Sequence, residues 1–179
     1  MDSWKTILSG REFEDYVVKR VPVPAYNEES CIECLRLCRE NLCGSYNTNW
    51  GCPPAIDIDP EELYDDSDYA LLVRRTFCLD VKDREVVDAT AQEMQKIVRM
   101  MVVALRSNGV ECMGFADGGC RYCGVCAMPD PCRFPDMFVP SVSALGLDMK
   151  TYMEGIGETF SFSDDCLTMY GLIFVKKTV

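Results

Sequence analysis

Thr90-Ala-Gln-Glu-Met-Gln-Lys-Ile-Val-Arg-Met-Met-Val-Val-Ala-Leu-Arg-Ser-Asn-Gly-Val-Glu-Cys-Met-Gly-Phe115 is the stretch that sets the fold class. Thr90 and Glu93 fit a capping box, and Asn108-Gly109 supplies a stop. Between them Met94, Ile97, Val98, Met101, Val102 and Leu105 recur at helical spacing, which predicts a helix over 90–107 whose apolar face covers a sheet. Residues 110–115 then read as a short strand that delivers the chain into a cysteine-rich segment, 112–132. Helix, strand and then a loop of reactive side chains is an α/β arrangement.

Outward from this stretch, 16–21 and 69–77 are rich in apolar and β-branched residues and read as strands. The segment 169–175 is expected at the centre of the sheet. Residues 158–162 and 167–175 are expected to pair as a hairpin around Ser163-Asp164-Asp165, and Ser141 and Asp148 to cap short helices. Asp59-Pro60-Glu61-Glu62 carries a helix start, with its carboxylates where the helix dipole favours them. The acidic run 57–68 lacks the Asp-x-Asp-x-Asp-Gly loop of an EF-hand and reads as a solvated face. No repeat, low-complexity run or Gly/Ser linker divides the chain. Residues 1–179 therefore read as one domain of α/β class, with α+β as the variant. Its expected architecture is a mixed sheet with covering helices and two cysteine-rich loops.

The chain has 179 residues, 48% of them hydrophobic, enough for a sizeable core. Lys plus Arg number 18 against 29 Asp plus Glu, a net charge of -11, so the attraction to phosphate that drives nucleic-acid and anionic-membrane binding has no source. No nucleic acid and no membrane is expected as a partner. There is no histidine, which removes Ser-His-Asp and Cys-His catalysis, His general bases and His metal ligands together. The most apolar stretch, 97–105, is broken by Arg99 and is far shorter than the roughly 18 residues of a membrane helix.

Twelve cysteines need a collective explanation. A disulfide framework belongs to oxidising compartments and thiolate ligation of metal to reducing ones. Residues 1–16 carry no uninterrupted apolar core and no cleavage-site pattern, so a cytoplasmic setting and metal ligation are expected.

The sharpest signal is Gly118-Gly119-Cys120-Arg-Tyr-Cys123-Gly-Val-Cys126, followed by Cys132. This C-x2-C-x2-C-x5-C order is close to the ferredoxin-like motif C-x2-C-x2-C-x3-C-P. A tight loop sets three thiolates around one face of an iron–sulfur cube, and Gly118, Gly119 and Gly124 let backbone N–H groups approach the sulfurs. Pro129, Pro131 and Pro135 stiffen the return of the fourth ligand, and Arg133 stands where ferredoxins carry proline. Zinc is the alternative, although a zinc ribbon uses two separated C-x2-C pairs. Free packed thiols are a third.

The earlier segment reads Cys31-x2-Cys34-x3-Cys38-x4-Cys43-x8-Cys52-Pro53-Pro54. If 28–40 is helical, Cys31, Cys34 and Cys38 lie on one stripe, and packed thiols are a credible reading of the first two. Cys38, Cys43 and Cys52 are separated by the turn formers Gly44, Asn47, Asn49 and Gly51, and they form the second candidate site. A cluster held by three cysteines leaves one iron open as a Lewis acid. Cys31, Cys34, Cys78 and Cys112 are all candidates for a fourth ligand, and no role is assigned to Cys166. Tyr46, Trp50, Phe115, Tyr122, Phe134 and Phe138 flank the sites, where they either exclude water or belong to the core. The C-x2-C-x3-C order reverses that of radical S-adenosylmethionine enzymes, and the chain is short for their barrel. Gly155-Ile-Gly157 is too short for a dinucleotide fingerprint, and there is no Walker A sequence.

Taken in order, Cys38, Cys43, Tyr46, Trp50-x-Cys52-Pro53-Pro54, Gly119-Cys120-x2-Cys123-x2-Cys126, Cys132-Arg133-x-Pro135, Pro140-Ser141 and Ala144-Leu145-Gly146-Leu147-Asp148 make a specific pattern. It resembles a bacterial and archaeal family of unknown function described as predicted metal-binding proteins, over most of residues 14–178. The resemblance implies cytosolic metal or iron–sulfur binding through Cys38, Cys43, Cys52, Cys120, Cys123, Cys126 and Cys132, mostly in anaerobes, with no settled reaction. Cys31, Cys34, Cys78 and Cys112 fall outside the pattern.

Three functions follow as expectations. The first is a small iron–sulfur protein carrying one or two [4Fe-4S] clusters, which exchanges electrons with a protein redox partner whose basic face suits this acidic surface. The second is an enzyme whose open-iron cluster performs sulfur transfer or dehydration. The third is a structural zinc-binding interaction module.

Overall fold

Alternation along two long strands, β2 (Ser67–Cys78) and β4 (Cys166–Lys176), builds the centre of the sheet. Leu71, Val73, Ile173 and Val175 are buried on one face, and Ala70, Leu72, Leu172 and Phe174 on the other, as the period of two requires. β1 (Val17–Val21) pairs with β2, and β3 (Cys112–Ala116) with β4, giving the order β1-β2-β4-β3. The computed structural model describes residues 3–160, 163 and 165–178.

The α/β class with helices on a sheet is the one observed, and the strand 169–175 lies inside the sheet as its sequence suggested. All three neighbouring strand pairs are antiparallel. β2 and β3 run parallel and are joined through α4 (Arg84–Ser107), but β4 is inserted between them, so the crossover they form is split. The parallel part of the expected mixed sheet is thereby reduced to a single bridge, Ala116 to Ser141.

With α1 (Ser3–Ile7) beside it, α4 covers one face, burying Met94, Val98, Met101, Val102 and Leu105 against Leu71, Val73 and Ile173. It begins before the expected Thr90. Asp83 Oδ1 accepts from the N–H groups of Glu85 (3.0 Å) and Val86 (3.3 Å) and caps the helix there. Thr90 sits inside the helix and returns its hydroxyl to Val87 O at 2.8 Å.

The other face is covered by α3 (Pro60–Asp66), a short turn of 3-10 helix (Val142–Leu145) and α5 (Met149–Gly155), whose Tyr64, Leu145 and Met153 pack on Leu72, Phe115 and Phe174. Their caps are the expected ones: Asp59, Ser141 and Asp148 each accept from the first turn of the element that follows. The acidic residues Asp57, Asp59, Glu61, Glu62, Asp65, Asp66 and Asp68 are all exposed.

The expected hairpin of 158–162 with 167–175 does not form over 158–160, because both edges of β4 are already occupied by β2 and β3. Ser161, Phe162 and Asp164 lie outside the described residues. Glu158 instead pairs with Lys19 (2.8 Å) and Arg74 (3.3 Å), which hold its carboxyl below the usual range. Among the described residues no helix is long and apolar enough to cross a membrane.

Candidate metal centre

The end of β3 is pinned from two sides. Asp117 Oδ2 accepts the N–H of Tyr170 in β4 at 2.8 Å, and the buried Gln95 of α4 donates through Nε2 to Gly118 O at 3.1 Å. From this anchored point the chain enters Gly119-Cys120. The N–H of Ala116 donates to Pro140 O (3.0 Å), and that of Ser141 to Gly51 O (2.9 Å), so the exit of one cysteine segment and the end of the other meet at the same corner.

Asn49 and Trp50 join the two segments. Asn49 Oδ1 accepts from Gly51 N, and its Nδ2 donates to Cys120 O, both at 2.8 Å. The N–H of Trp50 points at Cys126 Sγ from 3.4 Å, while its indole N–H donates to Asp130 O at 2.9 Å. The backbones approach so closely that a Cβ on Gly51 would lie 2.7 Å from Cys120 N, and one on Gly119 2.8 Å from Cys52 Sγ.

Cys120, Cys123, Cys126 and Cys132 line one small cavity, closed by Trp50, Ala127, Arg133 and Phe138. Among the described residues no carboxylate lines it. Arg133 donates to Val125 O at 2.6 Å, which draws the return segment toward the loop. Outside the cavity Tyr122 meets Phe134 edge to face at 5.1 Å, with the Arg99 guanidinium 4.9 Å from the Tyr122 ring.

The family of predicted metal-binding proteins (DUF2284), whose function is unknown, matches residues 31–175. The chain belongs to this family. The matched span holds all twelve cysteines, from Cys31 to Cys166, as well as β2, β3 and all of β4 but Lys176, and it confirms the family that the motif resemblance pointed to. No curated protein and no solved structure matches the chain.

Within the family's matched span the first cysteine segment is arranged differently from the second. Cys52 is buried, and its thiol is pushed up to about 12, first by burial and then by the neighbouring Cys43, Cys38 and Cys120. Cys52 Sγ also lies against the second segment, 2.8 Å from where a Cβ on Gly119 would stand. Cys43 is exposed and Cys38 half-buried. Cys38 is carried by α2 (Glu28–Arg39), capped by Asn27 Oδ1 on Ser30 N at 2.8 Å. None of its residues is fully buried, and Ile32, Leu35 and Leu37 face solvent. Its partly covered positions are Ser30, Cys31, Cys34 and Cys38, so the inner face of this helix is a stripe of thiols.

The remaining cysteines divide by place. Cys31 Sγ lies 3.7 Å from Gly146 O, and Cys34 Sγ 3.9 Å from Leu147 O, with both thiols pushed up mainly by burial. They pack on the segment after the 3-10 turn. Cys112 is in the core beneath α4, 4.0 Å from Val102 O, and burial pushes its thiol up to about 11. Cys78 and Cys166 face each other at the far end of the sheet.

A metal has to be matched to these donors. Four thiols on one cavity, without imidazole or carboxylate, suit a thiophilic metal such as zinc or the iron of a cluster. The side chains are not drawn in: among the described residues no three His, Cys, Asp or Glu groups stand at the spacing that holds a metal ion. The fit is one of donor chemistry and convergence. Gln95 and Asp117, which shape the corner, are missed by motif reading because their roles are tertiary, and Asn49, read only as a turn former, also reaches across to Cys120 O. Phe115, one of the flanking aromatics, belongs to the core, edge to face with Phe174 at 5.7 Å.

Proposed function

We propose that this chain is an iron–sulfur protein. Cys120, Cys123, Cys126 and Cys132 would hold one [4Fe-4S] cluster and Cys38, Cys43 and Cys52 a second, with electrons passing to or from an oxidoreductase partner in the cytoplasm. The observation that carries this reading is the cavity lined by all four cysteines of the 120–132 segment, with no carboxylate among the described residues that line it and with a backbone N–H aimed at one sulfur.

A cluster bound there would supply a one-electron couple. The protein's own contribution is to tune it. The Trp50 N–H donates to Cys126 Sγ, which stabilises negative charge on that sulfur and favours the reduced state. Arg133 adds a positive charge at the wall, and Trp50 and Phe138 limit water. The close approach of Cys52 Sγ to Gly119, and of Gly51 to Cys120 N, supports a short path between the two ligand sets. A net charge of -11 supports a partner with a basic docking face.

A second reading, an open iron at Cys38, Cys43 and Cys52 that performs sulfur transfer or dehydration, is favoured by the exposure of Cys43 and the three-thiol count. Iron, acid-labile sulfide and zinc content, with an absorption spectrum on anaerobically purified protein, test the clusters on which both readings rest. About eight irons and eight sulfides per chain support two cubes, and about four of each leave 120–132 as the sole cluster. Zinc without sulfide overturns the redox reading in favour of a structural module.

A further inference from the structure

Cys78 and Cys166 are the terminal partners of the β2–β4 ladder. The next step of that ladder is a hydrogen-bonded one, with Leu79 N–H donating to Asp165 O at 3.1 Å. Cys78 and Cys166 therefore form a non-hydrogen-bonded pair, the kind in which opposed Cα atoms stand closest, at about 4.5 Å. That separation is within the range a disulfide bridges. Their sulfurs are already 3.5 Å apart, with the Cys166 thiol donating to Cys78 Sγ.

The surroundings hold this pair in place and leave it accessible. Two residues along the same face, the hydroxyls of Thr76 and Thr168 meet at 2.8 Å, so the register is set on both strands. Ser163 Oγ accepts the Cys166 N–H at 3.0 Å and fixes the start of β4. The covering layer on this face reaches Tyr170, against which Phe160 packs, and Cys78 beyond it is exposed. Neither cysteine lines the cavity of the 120–132 segment.

We propose that Cys78 and Cys166 are a reversible dithiol–disulfide site that exchanges with low-molecular-weight disulfides of the glutathione class and, when oxidised, staples the open ends of β2 and β4. Cys78 is the more exposed of the two and the one a small disulfide reaches first, so Cys78 is the attacking group and Cys166 the resolving one. The Cys78 thiolate attacks one sulfur of the small disulfide, whose S–S bond breaks and releases one small thiolate. Cys166 then loses its proton and attacks the Cys78 sulfur of the mixed disulfide, expelling the second small thiolate. Two protein thiols are oxidised to one disulfide, one small disulfide is reduced to two thiols, and the two protons end on those thiols. An excess of the small thiol reverses both steps. The proposal goes beyond metal binding and holds whichever metal the protein carries.

The test uses the metal-loaded protein under anaerobic conditions, equilibrated in buffers of increasing glutathione disulfide share, quenched with acid, alkylated and digested for mass spectrometry. The expected result is a peptide linked through Cys78 and Cys166 that rises with the oxidised share and disappears with reduced glutathione, at constant metal content. Cys166→Ser is expected to trap a glutathione adduct on Cys78 at about tenfold the wild-type level, since the resolving thiol is gone. Cys78→Ser is expected to leave Cys166 far less modified. Independent alkylation of both cysteines at every ratio would falsify the proposal, as would linkage of either one to a cysteine of the 38–52 or 120–132 segments. Loss of metal from Cys78→Ser would overturn it too, by making Cys78 a ligand.

Discussion

The main-chain N–H of Trp50 lies 3.4 Å from Cys126 Sγ, so the turn that precedes Cys52 is tied directly to the third cysteine of the other segment. The two cysteine segments, far apart in the chain, are thereby one structural unit. Polar contacts from Asn49 and Trp50 align them.

Asn49 makes two of these contacts, one within its own turn and one across to Cys120 O. Asn49→Ala removes both and leaves partly buried groups unpaired, at a cost of about 1–3 kcal/mol. The expected outcome is a lower denaturation midpoint together with reduced metal content. Asn49→Asp keeps the acceptor for Gly51 N–H but sets a carboxylate oxygen against Cys120 O beside the thiols, and is expected to retain no more metal than Asn49→Ala. Equal metal retention in all three proteins would show that the bridge does not support the site.

Gly51→Ala tests the close approach itself. Its Cβ would stand 2.7 Å from Cys120 N, a backbone atom that cannot turn aside, so the segments must separate. An overpacking cost of about 1–3 kcal/mol is expected, concentrated at the corner. Far-UV circular dichroism from α4 and the sheet should persist while metal binding weakens. If metal content stays at the wild-type level, the segments need not meet this closely.

What could be read from the chain divides along a physical line. The apolar face of α4, the strand feeding the second cysteine segment and the caps at Asp59, Ser141 and Asp148 are local patterns, and each is where its pattern puts it. The start of α4 differs because Asp83 and Thr90 both carry a cap signature and the segment between them has helix formers on either side. Insertion of β4 between β2 and β3 is a non-local pairing that no single segment encodes. The same holds for the site. The cysteine spacing is visible in one dimension, but Asn49 against Cys120, Gln95 against Gly118, and Cys78 opposite Cys166 depend on which strands become neighbours.

α2 gives a prediction about metal removal. It presents Cys31, Cys34 and Cys38 inward and leaves Ile32, Leu35 and Leu37 in solvent, so little apolar burial holds it down. Chelation of the metal is therefore expected to raise hydrogen exchange across 28–52 by at least about tenfold, while α4, β2 and β4 stay protected. Cys31→Ser and Cys34→Ser should retain metal, because these thiols pack on the carbonyls of 145–147. Cys52→Ser should lose it. Uniform exchange with and without metal would mean that α2 is held by the polypeptide alone.

Asp117 gives the corner a pH dependence. Its carboxylate accepts the Tyr170 N–H, but desolvation outweighs that bond and lifts its pKa to about 6, from an unfolded value near 3.9. Between about pH 4 and pH 6 the folded protein keeps a proton that the unfolded chain has released, so stability falls as pH rises through this window and levels off above it. Asp117→Asn retains an acceptor for Tyr170 N–H and cannot ionise. Denaturation midpoints measured from pH 4 to pH 7 should therefore show the variant gaining on wild type as pH rises, with the difference growing up to about pH 6 and constant beyond. A difference that does not change with pH would place the carboxylate in contact with solvent and remove this group from the pH response of the site.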